Sequence, residues 1–337
     1  KTLVCQSNKK HSYTVFLTMK ILLIEPYFTG SHASWAEGYV KYSGHQVEIY
    51  KIQGYYWKWR MHGGAVTLAR KLMKSDFHPD LILATDMLDL TTFLGLTRDV
   101  TNGIPTAIYF HENQLTYPWS PNGEDVKKER NHHYSFMNYT SALSADGVFF
   151  NSLYHKNSFI NALTPFLKMF PDKREMRNIS LIKSKSEVLH LGLDLARFDK
   201  LRHIEKGKKP LILWNHRWEY DKNPQQFFDV LFKIKGQGIE FELAVLGANY
   251  HKYPKVFDEA KEKLASEIVT WGFAESFEKY AYWLWKSDIL LVTGNQDFFG
   301  GSVVEGIYCE CFPILPKRLV YPEHIEATFQ GFYFYKK

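Results

Sequence analysis

The sequence predicts an α/β chain of two doubly wound domains that face each other across a cleft. Three observations predict it. From Met19 onward, short apolar runs rich in β-branched residues alternate with longer amphipathic segments, the rhythm of a parallel sheet covered on both faces. That rhythm breaks once, between Leu195 and Lys209, where the composition turns charged and poor in strand formers, and then resumes at PLILWNH. The chain has 337 residues, enough for two cores of ordinary size, and its 45% hydrophobic and 16% aromatic content excludes general disorder.

Residues 1–18, KTLVCQSNKKHSYTVFLT, look unlike the start of a domain and are read as a flexible extension, whereas MKILLIEPYF opens one. The first domain spans 19–194. Its first strand is Lys20 to Glu25, and the loop PYFTGSH, with Gly30, leads to a helix expected near Ser34. QVEIY follows as a strand, GAVTLARKLMKS as a helix, LILAT as a strand, MLDLTTFLGLT as a helix and IPTAIYF as a strand. HENQLTYPW is a loop, and EDVKKERNHHYSFMNYTSALSAD is a charged loop running into a helix. GVFF is a strand, NSLYHKNSFINAL a helix, MFPDKREMRNISLIKSKSE a basic, loop-rich stretch, and VLHLGLD one more strand.

The linker is 195–209, and the second domain spans 210–337. It reads as strand PLILWNH, helix FFDVLFKIK, strand FELAVLG, helix PKVFDEAKEKLA, strand IVTWG, helix FEKYAYWLWKS and strand DILLVTG, with SVVEGIYCE as the next helix.

Several function classes fall away. No G-x-G-x-x-G follows a strand, there is no Walker A sequence, and there is no D-x-D pair, so dinucleotide, P-loop and acidic-pair metal readings lose their main support. The zincin pattern fails because Leu115 stands where H-E-x-x-H needs its second histidine. No metal is therefore expected. Cys5, Cys309 and Cys311 form no zinc-like pair of pairs, and an odd count argues against a disulfide framework, which points to a reducing, cytoplasmic compartment. No apolar run reaches the ~18 residues that span a bilayer. A formal charge of +6, with Lys and Arg spread along the chain, is compatible with a polyanionic partner.

The stretch GNQDFFGGSVVEGIYCEC, 294–311, carries the strongest chemistry. Gly300 and Gly301 at a strand-to-helix turn let backbone approach a ligand closely, and Ser302 is expected to cap the helix. Free N–H groups at that end favour phosphate. Asp297 and Glu305, with seven residues between them, offer acceptors on either side of such a phosphate, which suits a nucleotide-sugar. Arg217 and Lys222, in HRWEYDKNP just past the first strand of the second domain, are the cations expected to meet a diphosphate. In the first domain the loops carrying Gly30, Thr85 to Asp86, and His111 are expected to share one rim, beyond the strands' carboxyl ends.

LLIEPYFTGSH, IYFHENQLTYP, LWNHRWEYDKNP and DFFGGSVVEGIYCECFPILPKRLVYPE, in this order, resemble the tRNA-queuosine α-mannosyltransferases, retaining glycosyltransferases of the GT-B fold with two Rossmann-like domains. The likeness runs from Met19 to Glu323. It implies that Glu305 holds the donor ribose, and that Asp297 with the backbone of Phe298, Phe299, Gly300 and Gly301 meets the sugar hydroxyls. It also implies that Arg217 and Lys222 bind the diphosphate, that Gly30 lies under it, and that His111 touches the transferred sugar. The implied donor is GDP-mannose as co-substrate, with no other cofactor. The implied acceptor is the cyclopentenediol of queuosine in tRNA, and no membrane partner is expected.

Three features differ from the family pattern. Asp297 stands where such enzymes carry Glu, TGSH at 29–32 replaces a double-glycine loop, and the chain ends at FYFYKK where a helix usually crosses back onto the first domain. The last suggests a truncated form. Open alternatives are the same donor site with a lipid, glycan or small-molecule acceptor, a tRNA-binding protein without catalysis, and, more distantly, a sugar-nucleotide epimerase. The donor base, the hexose and the oligomeric state stay undetermined at this level.

Overall fold

A computed structural model describes residues 18–119, 132–248 and 253–336. Apart from Thr18, the expected extension at 1–18 lies outside these residues, as does the charged loop at 124–131 before His132. Two six-stranded sheets form the molecule, and every strand pair is parallel.

The first sheet has the order β2-β1-β3-β4-β5-β6. Its strands are β1 Lys20–Phe28, β2 Gln46–Gln53, β3 Leu81–Thr85, β4 Thr106–Phe110, β5 Gly147–Phe150 and β6 Ser186–Val188. Ile21 to Ile24 are fully buried because helices cover both faces, so β1 reads as a continuous apolar run. One core packs around Leu22, Ile24, Phe93 and Phe110, the opposite one around Ile21, Leu23, Trp35 and Tyr109. The covering helices are α1 Gly30–Tyr42, α2 Trp57–Leu72, α3 Leu90–Thr101, α4 His132–Ser144, α5 Leu153–Lys168 and α6 Arg177–Ser184.

The second sheet has the order β12-β11-β10-β7-β8-β9. Its strands are β7 Leu211–Asn215, β8 Glu242–Leu246, β9 Ile268–Gly272, β10 Ile289–Leu291, β11 Phe312–Pro316 and β12 Phe334–Tyr335. Its helices are α7 Pro224–Gly236, α8 Val256–Lys263, α9 Phe277–Lys286, α10 Gly301–Tyr308 and the short α11 Gln330–Tyr333. Between the sheets, Leu195–Leu201 winds into a 3-10 helix, and its Phe198 is fully buried in the second domain's core.

Four elements differ from the sequence reading. Helix α1 begins at Gly30, four residues before Ser34, because Thr29 is extended and Gly30 takes φ +50 to turn directly into the helix. Helix α2 starts at Trp57, so the aromatic segment ahead of the expected helix belongs to its first turns. The basic stretch after α5 contains α6, whose eight residues are too few for periodicity to stand out. VLHLGLD contributes one residue to β6, makes one more backbone bond from the Leu189 N–H to the Phe150 carbonyl at 2.9 Å, and then runs outside the sheet to the linker. No helix among the described residues is long and apolar enough to cross a membrane.

Candidate active site

In the second sheet the strand order reverses where β10 lies beside β7, and a crevice opens beyond their carboxyl ends. Asn215, His216 and Arg217 leave β7 there, and residues 293–300 leave β10. The bend at His216 rests on Gly247. A Cβ at that position would lie 1.9 Å from the His216 carbonyl oxygen, and Gly247 has φ +125, so glycine alone fits.

Asp297 and Lys222 meet at the centre of this crevice. Asp297 Oδ1 accepts from Lys222 Nζ at 2.9 Å, and Oδ2 accepts from the Tyr321 hydroxyl at 2.6 Å. Lys222 Nζ also donates to the Gln296 carbonyl at 2.7 Å and lies 3.4 Å from Asp221. Burial works against both charges. For Asp297, Lys222, His216 and Tyr321 outweigh it and hold the carboxyl below the usual range, while Asp297 and Asp221 hold the Lys222 ammonium above its own.

Ser302 does not cap α10. Gly300, left-handed at φ +72, occupies the cap position and makes no side-chain bond there, while Ser302 lies inside the helix with its hydroxyl 3.1 Å from His216 Nδ1. Its carbonyl accepts from Asn215 Nδ2 at 2.7 Å. Burial lowers His216 to about 4, so the ring is neutral, and its Nε2 is buried without a partner among the described residues. One turn into α10, Glu305 accepts from the Tyr280 hydroxyl at 2.7 Å and lies 3.4 Å from Arg197; burial nevertheless pushes its carboxyl up.

The opposing rim comes from β1, β3 and β4. Glu25, at the end of β1's buried run, pairs with His32 Nδ1 at 3.0 Å and accepts the Tyr27 N–H at 2.8 Å. Burial opposes the His32 charge, but Glu25 and the nearby Asp86 and Glu112 raise it to about 9. Asp86 accepts the His111 backbone N–H at 2.8 Å, and burial drives its own carboxyl up to about 8. The His111 ring lies 4.3 Å from that of His32 and 4.7 Å from that of Trp35. Burial and the His32 charge keep it neutral, and its Nε2 lacks a partner among the described residues. Gly30 is exposed at the start of α1, with open space where a Cβ would stand. Glu25, His32 and His111 bring ligand atoms within 4.8 Å of one another, a donor set able to hold a metal. A metal there would have to displace the His32 proton.

The two rims touch. Ser152, the cap of α5, donates to the Phe298 carbonyl at 2.6 Å, and the Phe298 ring stacks on His155 at 4.0 Å. Glu323 accepts from the Leu153 and Tyr154 N–H groups at 2.9 and 2.6 Å. Tyr220 donates to the Pro118 carbonyl at 2.8 Å. Arg217 lies 3.3 Å from Glu219 and 3.4 Å from the Tyr117 hydroxyl, which keeps its guanidinium firmly charged.

Of the residues nominated from sequence, Lys222 and Asp297 are in direct contact, and Ser302 and Glu305 share α10. Phe298 faces the first domain, and the Phe299 carbonyl accepts from His324 Nε2 at 2.6 Å. Gly30 and His111 belong to the opposite rim. Sequence reasoning passed over Glu25, His32, Glu112, His216, Tyr280 and Tyr321. His32 had a signal in the TGSH loop, and Glu25 is the lone charge at the end of an otherwise apolar strand. The Trp271 ring packs 5.2 Å from that of Trp218, while Phe273 is exposed.

Residues 20–193 match the family model for the N-terminal part of tRNA-queuosine alpha-mannosyltransferase, and residues 197–337 match the model for glycosyl transferases group 1. The tRNA-queuosine alpha-mannosyltransferase of Drosophila melanogaster is 34% identical over 312 residues, covering 90% of this chain and 81% of that protein. Among solved structures, a glycosyltransferase from Rickettsia africae aligns with TM-score 0.62 and 17% identity over 94% of this chain and 83% of its own. Anabaena HepE in complex with UDP aligns with TM-score 0.60 and 16% identity over 95% and 85%. These two share the fold, GT-B with two Rossmann-like domains. With both halves of the sequence matched and a relative alike over most of its length, the chain belongs to the tRNA-queuosine α-mannosyltransferase family and is a glycosyltransferase.

Proposed function

We propose that this enzyme moves mannose from GDP-mannose onto a hydroxyl of the queuosine cyclopentenediol in tRNA, in the cytoplasm, with retention at the anomeric carbon and without a divalent ion. The observation that carries this reading is the Lys222–Asp297 pair at 2.9 Å, made by the loop that also carries Arg217 and the loop that leads into α10. Lys222 and Arg217 supply positive charge for a diphosphate, and Asp297 supplies an acceptor for a sugar hydroxyl. Glu305, oriented by Tyr280, supplies acceptors for the ribose. The name of the Drosophila relative supports mannose and queuosine tRNA.

In the reaction, the bond from the anomeric carbon to the diphosphate oxygen breaks and its electron pair leaves with the nucleoside diphosphate. Arg217, Lys222 and the N–H groups of α10 stabilise that charge as it develops. The acceptor hydroxyl attacks on the same face, and its proton passes to the departing phosphate oxygen. His111 and Gly30 hold the sugar and phosphate from the first domain.

Arg217→Ala tests the assignment. Removing a preorganised donor of this kind lowers turnover by roughly 10² to 10³-fold. A folded Arg217→Ala protein that turns over GDP-mannose at the wild-type rate would overturn it.

A further inference from the structure

Residues 55–60, YYWKWR, carry six aromatic or cationic side chains in succession where β2 turns into α2. Tyr55, Tyr56 and Trp59 are 61%, 82% and 65% exposed, so three large rings stand open to solvent within one turn. Tyr56 is left-handed at φ +49, a conformation a bulky residue adopts at a cost. The Trp59 ring lies along Gly63. A Cβ there would come 3.0 Å from its ring carbons, so the helix backs part of the indole while most of the side chain stays exposed. The surrounding sequence is purely basic: no Asp or Glu occurs between Glu48 and Asp76, while Lys51, Lys58, Arg60, Arg70, Lys71 and Lys74 do.

This patch borders the cleft on two sides. Gly54 N–H donates to the Phe28 carbonyl at 3.2 Å, and a Cβ at Gly54 would lie 2.3 Å from the Thr29 methyl, so the turn is pressed against the residue preceding Gly30. On the other side Trp57 meets Trp119, at the end of the loop that begins with His111, with ring centroids 6.0 Å apart.

We propose that Tyr55, Tyr56 and Trp59, with Lys58 and Arg60, form the surface on which unstacked nucleotides of the acceptor RNA dock beside the cleft. Aromatic faces take bases whatever their identity, and the flanking cations take the phosphates, a combination suited to single-stranded loops. A duplex would offer no free base to these rings. The inference rests on the reading above that the acceptor is a tRNA, and it adds where the RNA is held.

The test compares Kd for queuosine-containing tRNA, at fixed salt, between the full chain and its Tyr56→Ala, Trp59→Ala and Trp59→Phe variants, with hydrolysis of GDP-mannose without acceptor as a second readout. Each alanine variant is expected to bind about tenfold more weakly, Trp59→Phe to retain affinity, and all to hydrolyse donor as wild type does. Arg60→Ala should lower the slope of log Kd against log salt by about one. Wild-type affinity in both Trp59→Ala and Tyr56→Ala would overturn the surface alone. Loss of donor hydrolysis in step with tRNA binding would also overturn it, by pointing to damage in the donor site. A wild-type protein that hydrolyses donor and binds no tRNA would overturn the surface and the acceptor assignment together.

Discussion

The ammonium of Lys222 lies 2.9 Å from the carboxylate of Asp297 in a buried pair where the loops leaving β7 and β10 converge. Each charge there depends on the other, because burial disfavours both.

Lys222→Met should therefore cost roughly 3 to 5 kcal/mol in urea unfolding by leaving the Asp297 carboxylate unpaired. Joining it to Asp297→Leu should recover part of that loss, since it removes the unpaired Asp297 carboxylate but leaves the buried Asp221, 3.4 Å from Lys222 Nζ, without that cation. The double variant is expected to fold and to remain inactive.

Tyr280→Phe removes the hydroxyl that donates to Glu305 at 2.7 Å without disturbing the α9 packing. A hydrogen bond to a charged group contributes about 1.5 to 3 kcal/mol. The KM for GDP-mannose should rise about tenfold or more, with kcat little changed, because Glu305 is assigned to the ribose and not to the reacting carbon. Steady-state kinetics at saturating tRNA reads the split.

The Glu25–His32 pair makes stability depend on pH. His32 is raised from 6.5 to about 9 on folding. The stabilisation it carries is present in full below pH 6.5 and fades as pH rises through 9, amounting to roughly 3 kcal/mol at ~1.4 kcal/mol per pH unit. Glu25→Gln removes the largest cause of the upward shift. Its unfolding free energy should fall less steeply than that of wild type between pH 6.5 and 9.

Gly247→Ala should destabilise by at least ~3 kcal/mol, combining strain at φ +125 with a methyl 1.9 Å from the His216 carbonyl oxygen. Relief of that clash shifts His216 and Arg217, so activity should fall with stability. Thermal unfolding and turnover on the same preparation check both.

Much of this was legible in the sequence. β3 and β4 stand where their apolar runs place them, because a strand buried on both faces has no polar interruption to blur its ends, and β5 and the partly exposed edge strand β9 also match their runs. Glycine-rich turns and conspicuous cations marked the crevice of the second domain. What sequence could not convey was pairing. Ser302 looked like a helix cap, yet its hydroxyl faces His216, because Gly300 already closes the turn. Lys222 looked like a free cation and is tied to Asp297. His32 gave little sign of its charge, which depends on Glu25 folding back within 3.0 Å of it.

The most direct test of the central claim is transfer of labelled mannose from GDP-mannose into total tRNA, comparing RNA from queuosine-replete cells with RNA from cells lacking queuosine. The account predicts label in the replete RNA alone. Equal labelling of both RNAs, or donor hydrolysis with no label in either, would contradict it.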